Sequence, residues 1–153
     1  MGPTVRIVDE NIVGEVEVAA SPQRVYAALT DPAELAAWRG SEESYRTFDW
    51  ESDLRVGGKR NCKAENRITG LKSTIKGEYL EIDPPRVLAF SWEPSWEKVH
   101  PTVVRIELTA IATGTRVLLT HSGWGEAKQA RSSHEKGWPV VLGFLEARFR
   151  GHI

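Results

Sequence analysis

Two histidines are placed where chemistry could be done. His121 ends an apolar run in Thr120-His121-Ser122-Gly123-Trp124, and His134 opens His134-Glu135-Lys136-Gly137-Trp138-Pro139. Imidazole titrates near neutrality, so the pair could shuttle protons or hydrogen-bond a ligand. Each could also be a structural histidine bonded to a backbone carbonyl. Asp49 and Glu51 alternate with Phe48 and Trp50. On a strand, one of these pairs faces inward and the other outward. Inward carboxylates could orient a polar ligand or act as a general base. Outward, they are solvated, and Phe48 and Trp50 lie inside. Cys62 is the only cysteine, and no neighbour in sequence marks it as an activated thiolate. His100, His121, His134, His152 and Cys62 show no compact ligand spacing, so neither a metal nor a cofactor is expected. Gly57-Gly58 is not a phosphate loop, because no Lys-Ser/Thr follows it.

The chain that must position these groups has 153 residues, with 20 Lys and Arg against 21 Asp and Glu, and a formal net charge of −1. That length predicts one domain over residues 1–153, with its core at about residues 11–150. Mixed charge gives no footprint for nucleic acid or for an anionic membrane. No apolar run approaches the ~18 residues of a membrane span. Residues 1–10 hold no apolar signal core, and a single cysteine builds no disulfide framework. The expected setting is soluble, reducing and cytoplasmic, and the expected state a monomer or weak homodimer. Six Trp stand against one Met. Trp supplies rigid apolar surface with a polar handle, useful in a core or in a pocket wall.

Periodicity then gives the elements. Residues 11–19 alternate, with Ile12, Gly14, Val16 and Val18 on one face. Ser21-Pro22 opens a helix with Val25, Tyr26 and Leu29 on its apolar face. Asp31-Pro32 ends that helix and caps a short second one, with Glu34 in capping-box register and Leu35 and Trp38 apolar. Strands are predicted at residues 45–51, 59–67, 71–82, 86–92, 102–110 and 116–122, joined by tight turns as in an antiparallel meander. Gly77 should bend or bulge the third of these. On residues 59–67, Arg60, Cys62 and Ala64 share one face and Asn61, Lys63 and Glu65 the other, so either face brings something polar inside.

The last segment is helical. Trp138, Val141, Leu142, Leu145 and Phe149 recur at helical spacing, Ser132 and Glu135 stand in capping-box register, and Pro139 predicts a kink or restart near residues 137–139. One long apolar helix after all the strands must pack across a finished sheet. Such a grip readily leaves a hollow between the two.

Several short pieces, in order, carry a family resemblance: residues 21–32, residues 35–38, Arg55-Val56-Gly57-Gly58, residues 77–85, Phe90-Ser91-Trp92, Gly114-Thr115, residues 120–124 and Gly137-Trp138. With them the chain resembles the START-like, helix-grip superfamily (SRPBCC), in the branch named after the C-terminal domain of the activator of heat-shock protein 90 ATPase. The resemblance implies an α+β helix-grip fold: a curved antiparallel sheet of about six to seven strands around a long C-terminal helix, with two short helices after the first strand. It also implies a cavity between sheet and helix. The expected lining is Trp138, Val141, Leu142 and Leu145 of the helix, Val104, Ile106 and Leu108 opposite, and Trp38, His121 and His134 beside them.

The function that follows is binding of a hydrophobic or amphipathic small molecule by a carrier or sensor, with a stress-related role in view. The alternatives are a metal-independent cyclase- or hydrolase-type enzyme that moves protons with polar cavity residues, and a chaperone-associated interaction protein.

Overall fold

The computed structural model describes residues 2–97 and 100–150. His152 lies outside these residues. The elements follow in the order β1 (Thr4–Val8), β2 (Asn11–Val18), α1 (Pro22–Thr30), α2 (Pro32–Trp38), β3 (Tyr45–Ser52), β4 (Arg60–Asn66), β5 (Lys72–Lys76), β6 (Tyr79–Asp83), β7 (Val87–Pro94), β8 (Thr102–Ile111), β9 (Gly114–Ser122) and α3 (Lys128–Phe149). The strands form one antiparallel sheet in the order β1-β2-β9-β8-β7-β5-β4-β3, with β6 also paired to β7. This is the expected α+β helix-grip arrangement, with α3 on the sheet.

The described strands number nine rather than six to seven. One addition is β1, which begins before the expected core and pairs with β2 from Thr4↔Glu15 to Val8↔Asn11. Its hairpin turns through Asp9 (φ 49°) and Glu10 (φ 68°), without a glycine to announce it. It follows that β2 lies between β1 and β9 rather than at the edge of the sheet. The other addition comes from the predicted strand 71–82, which breaks at Gly77 into β5 and β6. A Cβ at Gly77 would lie 2.3 Å from the Ser91 carbonyl oxygen of β7, so only glycine permits the approach.

In β3 the strict alternation fails. The register with β4 shifts between Phe48 and Glu51, and Asp49 takes φ 51°. This β-bulge reverses the parity of the strand. Thr47, before the bulge, and Trp50, after it, both face inward, and the Trp50 indole donates to Thr47 Oγ1 at 2.9 Å. Phe48 pairs across from Lys63 on the outer face. Only one of the two aromatic rings therefore turns in.

The helix signals act as written at α1 and α2. Ser21 Oγ accepts from Arg24 N at 3.2 Å, and Asp31 Oδ1 accepts from Ala33 N at 2.9 Å. Asp31 N already donates to Ala27 O, so Glu34 has no capping bond to return. Its carboxylate joins Arg24 of α1 (2.6 Å) to Arg148 of α3 (3.2 Å) instead.

Helix α3 starts earlier than predicted and does not restart at Pro139. It begins at Lys128, four residues before Ser132, with no side-chain cap at Ala127, and runs as one element to Phe149. Its 22 residues span roughly 33 Å at 1.5 Å each. Proline removes one amide donor, but the buried stripe His134, Trp138, Leu142, Leu145 and Phe149 continues on both sides of it. Tertiary packing of that stripe outweighs the local cost. Leu142 lies over β2 at Gly14, where a Cβ would sit 2.9 Å from Leu142 Cδ1.

Candidate functional site

Between α3 and the strands β4, β5 and β7 lies a hollow of about 650 Å³. Its inner wall is Trp92, Trp138, Val141, Ala64, Ile75 and Tyr45. Its mouth is open to solvent and carries large apolar side chains, Leu71 (73% exposed), Trp96 (51%) and Val140 (48%), beside the exposed polar residues Asn66, Lys72 and Ser133. On the α3 side the wall is Ser133, His134, Gly137, Trp138, Val140 and Val141. The neighbouring stripe, with Leu142 and Leu145, faces the core.

Indole–imidazole hydrogen bonds fix the deep wall. Trp92 Nε1 donates to His134 Nε2 at 3.0 Å, and His134 Nδ1 lies 2.9 Å from Ala130 O. Trp138 Nε1 donates to His121 Nδ1 at 3.0 Å, and His121 Nε2 lies 2.6 Å from Thr102 Oγ1. An indole N–H can only donate, so each imidazole must accept at that nitrogen and carry its single proton on the other. His134 then donates to Ala130 O, and His121 donates to Thr102 Oγ1. Trp124 closes the group by donating to His121 O at 3.0 Å.

Burial pushes the pKa of His121 down to about 2, with the neighbouring His134 adding to the effect. Burial likewise lowers His134, opposed by its bond to Ala130 O and by the charge of Glu97. Both rings are thus neutral hydrogen-bond acceptors for tryptophan at pH 7. No carboxylate hydrogen-bonds to either ring among the described residues.

The sequence matches the family described as Activator of Hsp90 ATPase homolog 1-like protein over residues 19–150. The chain belongs to this family. No functionally curated protein matches it. A protein from Chromobacterium violaceum has a similar crystal structure, with a TM-score of 0.80 and 26% identity over 91% of this chain and 96% of that one. One from Rhodobacter sphaeroides gives a TM-score of 0.84 at 19% identity, covering 99% of each chain. An AHSA1-like protein from Aeromonas hydrophila, solved by NMR, gives 0.76 at 20% identity over 94% of this chain and 97% of that one.

In this member of the Activator of Hsp90 ATPase homolog 1-like family, the residues expected to line the cavity divide into two groups. Trp138, Val141 and His134 stand in the wall of the hollow. Trp38, Val104, Ile106, Leu108, Leu142 and Leu145 do not; all are buried in the core. The reason is geometric. Helix α1 packs on β8 and β9, and Val104, Ile106 and Leu108 are buried in the core rather than turned to the hollow. Trp38 is tied down by its indole donating to Ala28 O at 2.7 Å. His121 is fully buried behind Trp138, one layer from the hollow. Asp49 and Glu51 face outward, Asp49 3.2 Å from Lys63 Nζ and Glu51 accepting from Asn61 Nδ2 at 3.1 Å, so no cavity carboxylate arises from them.

The buried charged group in the wall of the hollow is Arg39, which the sequence does not single out among its 20 Lys and Arg; Asn66, Lys72 and Ser133, also in the lining, are exposed. The position of Arg39 follows from the end of α2. Arg39 N donates to Leu35 O at 3.0 Å, and Arg39 O accepts from Thr47 Oγ1 at 2.8 Å. Gly40 then turns at φ 140°, where a Cβ would meet Tyr45 O at 2.5 Å. Behind Arg39, a void of about 10 Å³ separates it from Arg60 and Cys62 on the inner face of β4. Arg60 is held by Leu29 O at 2.6 Å and Tyr79 Oη at 3.0 Å, with its guanidinium 4.2 Å from the Phe90 ring centre. Burial pulls the Arg60 pKa below its ordinary value and pushes that of the Cys62 thiol up. Cys62 is thus held as a thiol, the opposite of an activated nucleophile. Trp92 was legible as the third inward residue of a period-two run with Leu88 and Phe90; Trp96, beyond the strand, carried no such signal.

Proposed function

We propose that this protein binds an apolar or amphipathic small molecule in the hollow between α3 and β4, β5 and β7. The observation that carries the reading is the hollow itself: about 650 Å³ walled by Trp92, Trp138 and Val141, with the exposed apolar side chains of Leu71, Trp96 and Val140 at its mouth. That volume falls within the roughly 300–1,000 Å³ of small-molecule sites. Its wall is rigid, because Trp92 and Trp138 are each pinned through the indole nitrogen. Their rings are therefore presented in place rather than ordered on binding, which lowers the entropic cost of association. The two neutral histidines support the wall and leave the binding-module reading ahead of the proton-moving enzyme.

The test is titration with N-phenylnaphthylamine, an uncharged fluorophore that brightens in apolar surroundings. Saturable binding near one per chain is expected, with quenching of tryptophan emission. Gly137→Phe should block it: a Cβ at Gly137 meets nothing within 4 Å, and the ring would project into the hollow. Val141→Trp should do the same, at a stability cost of about 1–3 kcal/mol at most. Probe binding unchanged in both variants would place the ligand elsewhere and end this reading.

A further inference from the structure

Arg39 is 7% exposed, lies in the wall of the hollow, and makes no side-chain hydrogen bond or ion pair among the described residues. Its guanidinium lies 5.0 Å from the Trp92 ring centre and 5.9 Å from that of Trp50. Its Nε is buried without a partner. Arg60, the other buried guanidinium, lies against the same Trp50 ring, 5.4 Å from its centre. Arg60 spends its donors on a carbonyl and a phenol. No carboxylate among the described residues pairs with either. Glu97 is near enough for its charge to be felt at His134, yet it forms no ion pair with Arg39. Two cations are thus buried side by side with aromatic faces but, among the described residues, no counter-anion, an arrangement that is unfavourable unless something compensates. Aromatic faces return only part of that. A planar fork of N–H donors in a low-dielectric wall, beside an apolar surface, suits a carboxylate or sulfonate carried on an apolar body.

We infer that the inner end of the hollow is an anion subsite built on Arg39, and that the ligand is an amphipathic organic monoanion whose apolar body lies against Trp92, Trp138 and Val141. The inference rests on the hollow being the binding site. It adds the charge of the ligand and its direction, head inward at Arg39 and body toward the mouth.

Two measurements test it on the full chain. In the first, N-phenylnaphthylamine is displaced from the native protein by decanoate and by decylammonium, which share one chain and differ in head charge. Decanoate should compete at least about tenfold more tightly. In the second, Arg39→Met, similar in length but uncharged, is titrated with N-phenylnaphthylamine and with anilinonaphthalene sulfonate. The sulfonate should lose about tenfold in affinity while the uncharged probe stays within about twofold. The melting temperature should rise, since an uncompensated buried cation has been removed.

Equal competition by decanoate and decylammonium would overturn the anion subsite and leave the binding reading standing. Equal loss of both probes in Arg39→Met, with a lower melting temperature, would show Arg39 to be a structural cation only, and would also overturn it. If Arg39→Met does not fold, the native competition decides alone. Failure of the uncharged probe to bind the native protein would remove the proposed function itself.

Discussion

At the scale of single residues, the two histidines show how a hydrogen-bond partner decides a role. Each accepts from an indole that has no alternative but to donate, so protonation would set N–H against N–H inside the protein. The sign of the pH effect follows. The folded-state pKa of His121 lies at about 2, below its unfolded value near 6.5, so the unfolded chain binds the extra proton first. The full stability is present above pH ~6.5 and is lost as pH falls toward the folded value. His134 shifts the same way. Between pH 6.5 and 5 the unfolding free energy should drop by about 1.6 kcal/mol from His121 alone, before most carboxylates titrate. Urea denaturation at several pH values reads this directly. A flat profile across that window would mean that the rings are less enclosed than their partners imply.

Among the elements, α3 and β2 offer a contrast between two glycines. Gly14 is where Leu142 comes down on β2, and a methyl there has only 2.9 Å to Leu142 Cδ1. Gly14→Ala should destabilise by about 1 kcal/mol or more, as the helix is lifted or Leu142 changes rotamer. Gly137 faces the hollow in mid-helix, with nothing within 4 Å of a Cβ. Gly137→Ala should stabilise by about 0.5–1 kcal/mol through backbone entropy alone. Thermal melts of both variants give opposite signs if the face assignment of α3 is right; the same sign for both would contradict it.

For the whole molecule, Trp138 is the joint. Its ring stands in the wall of the hollow on one side and against the Trp92, His121 and His134 cluster on the other, and its nitrogen ties α3 to β9. Trp138→Ala should cost on the order of 3–5 kcal/mol, because it removes a large buried side chain and leaves His121 Nδ1 without its donor. The same substitution should weaken probe binding by removing part of the wall. A denaturant midpoint close to the native one, with probe affinity unchanged, would show that neither contact matters. No helix among the described residues is long and apolar enough to cross a membrane.

The sequence by itself determined what depends on local pattern. The period-two runs located most strands, Ser21 and Asp31 marked the helix starts, and the final apolar stripe required a helix on a finished sheet. The order of short motifs identified the family, and Gly77 was legible as a bend or bulge in one strand, though not as the break between β5 and β6. What escaped was decided by contacts between segments distant in the chain. β1 has polar turn residues and finds its place only by pairing with β2. The bulge at Asp49 reverses β3 so that Trp50 turns in and Phe48 out. Helical spacing gave the apolar residues of α3 but not their division between core and hollow, since neighbouring stripes differ by one residue's rotation and only the packed sheet fixes the phase. Arg39 was invisible for a stronger reason. A guanidinium at the end of a short helix is ordinarily solvated, and only the closure of Trp50, Trp92 and β4 around it takes the water away and leaves it turned toward the hollow.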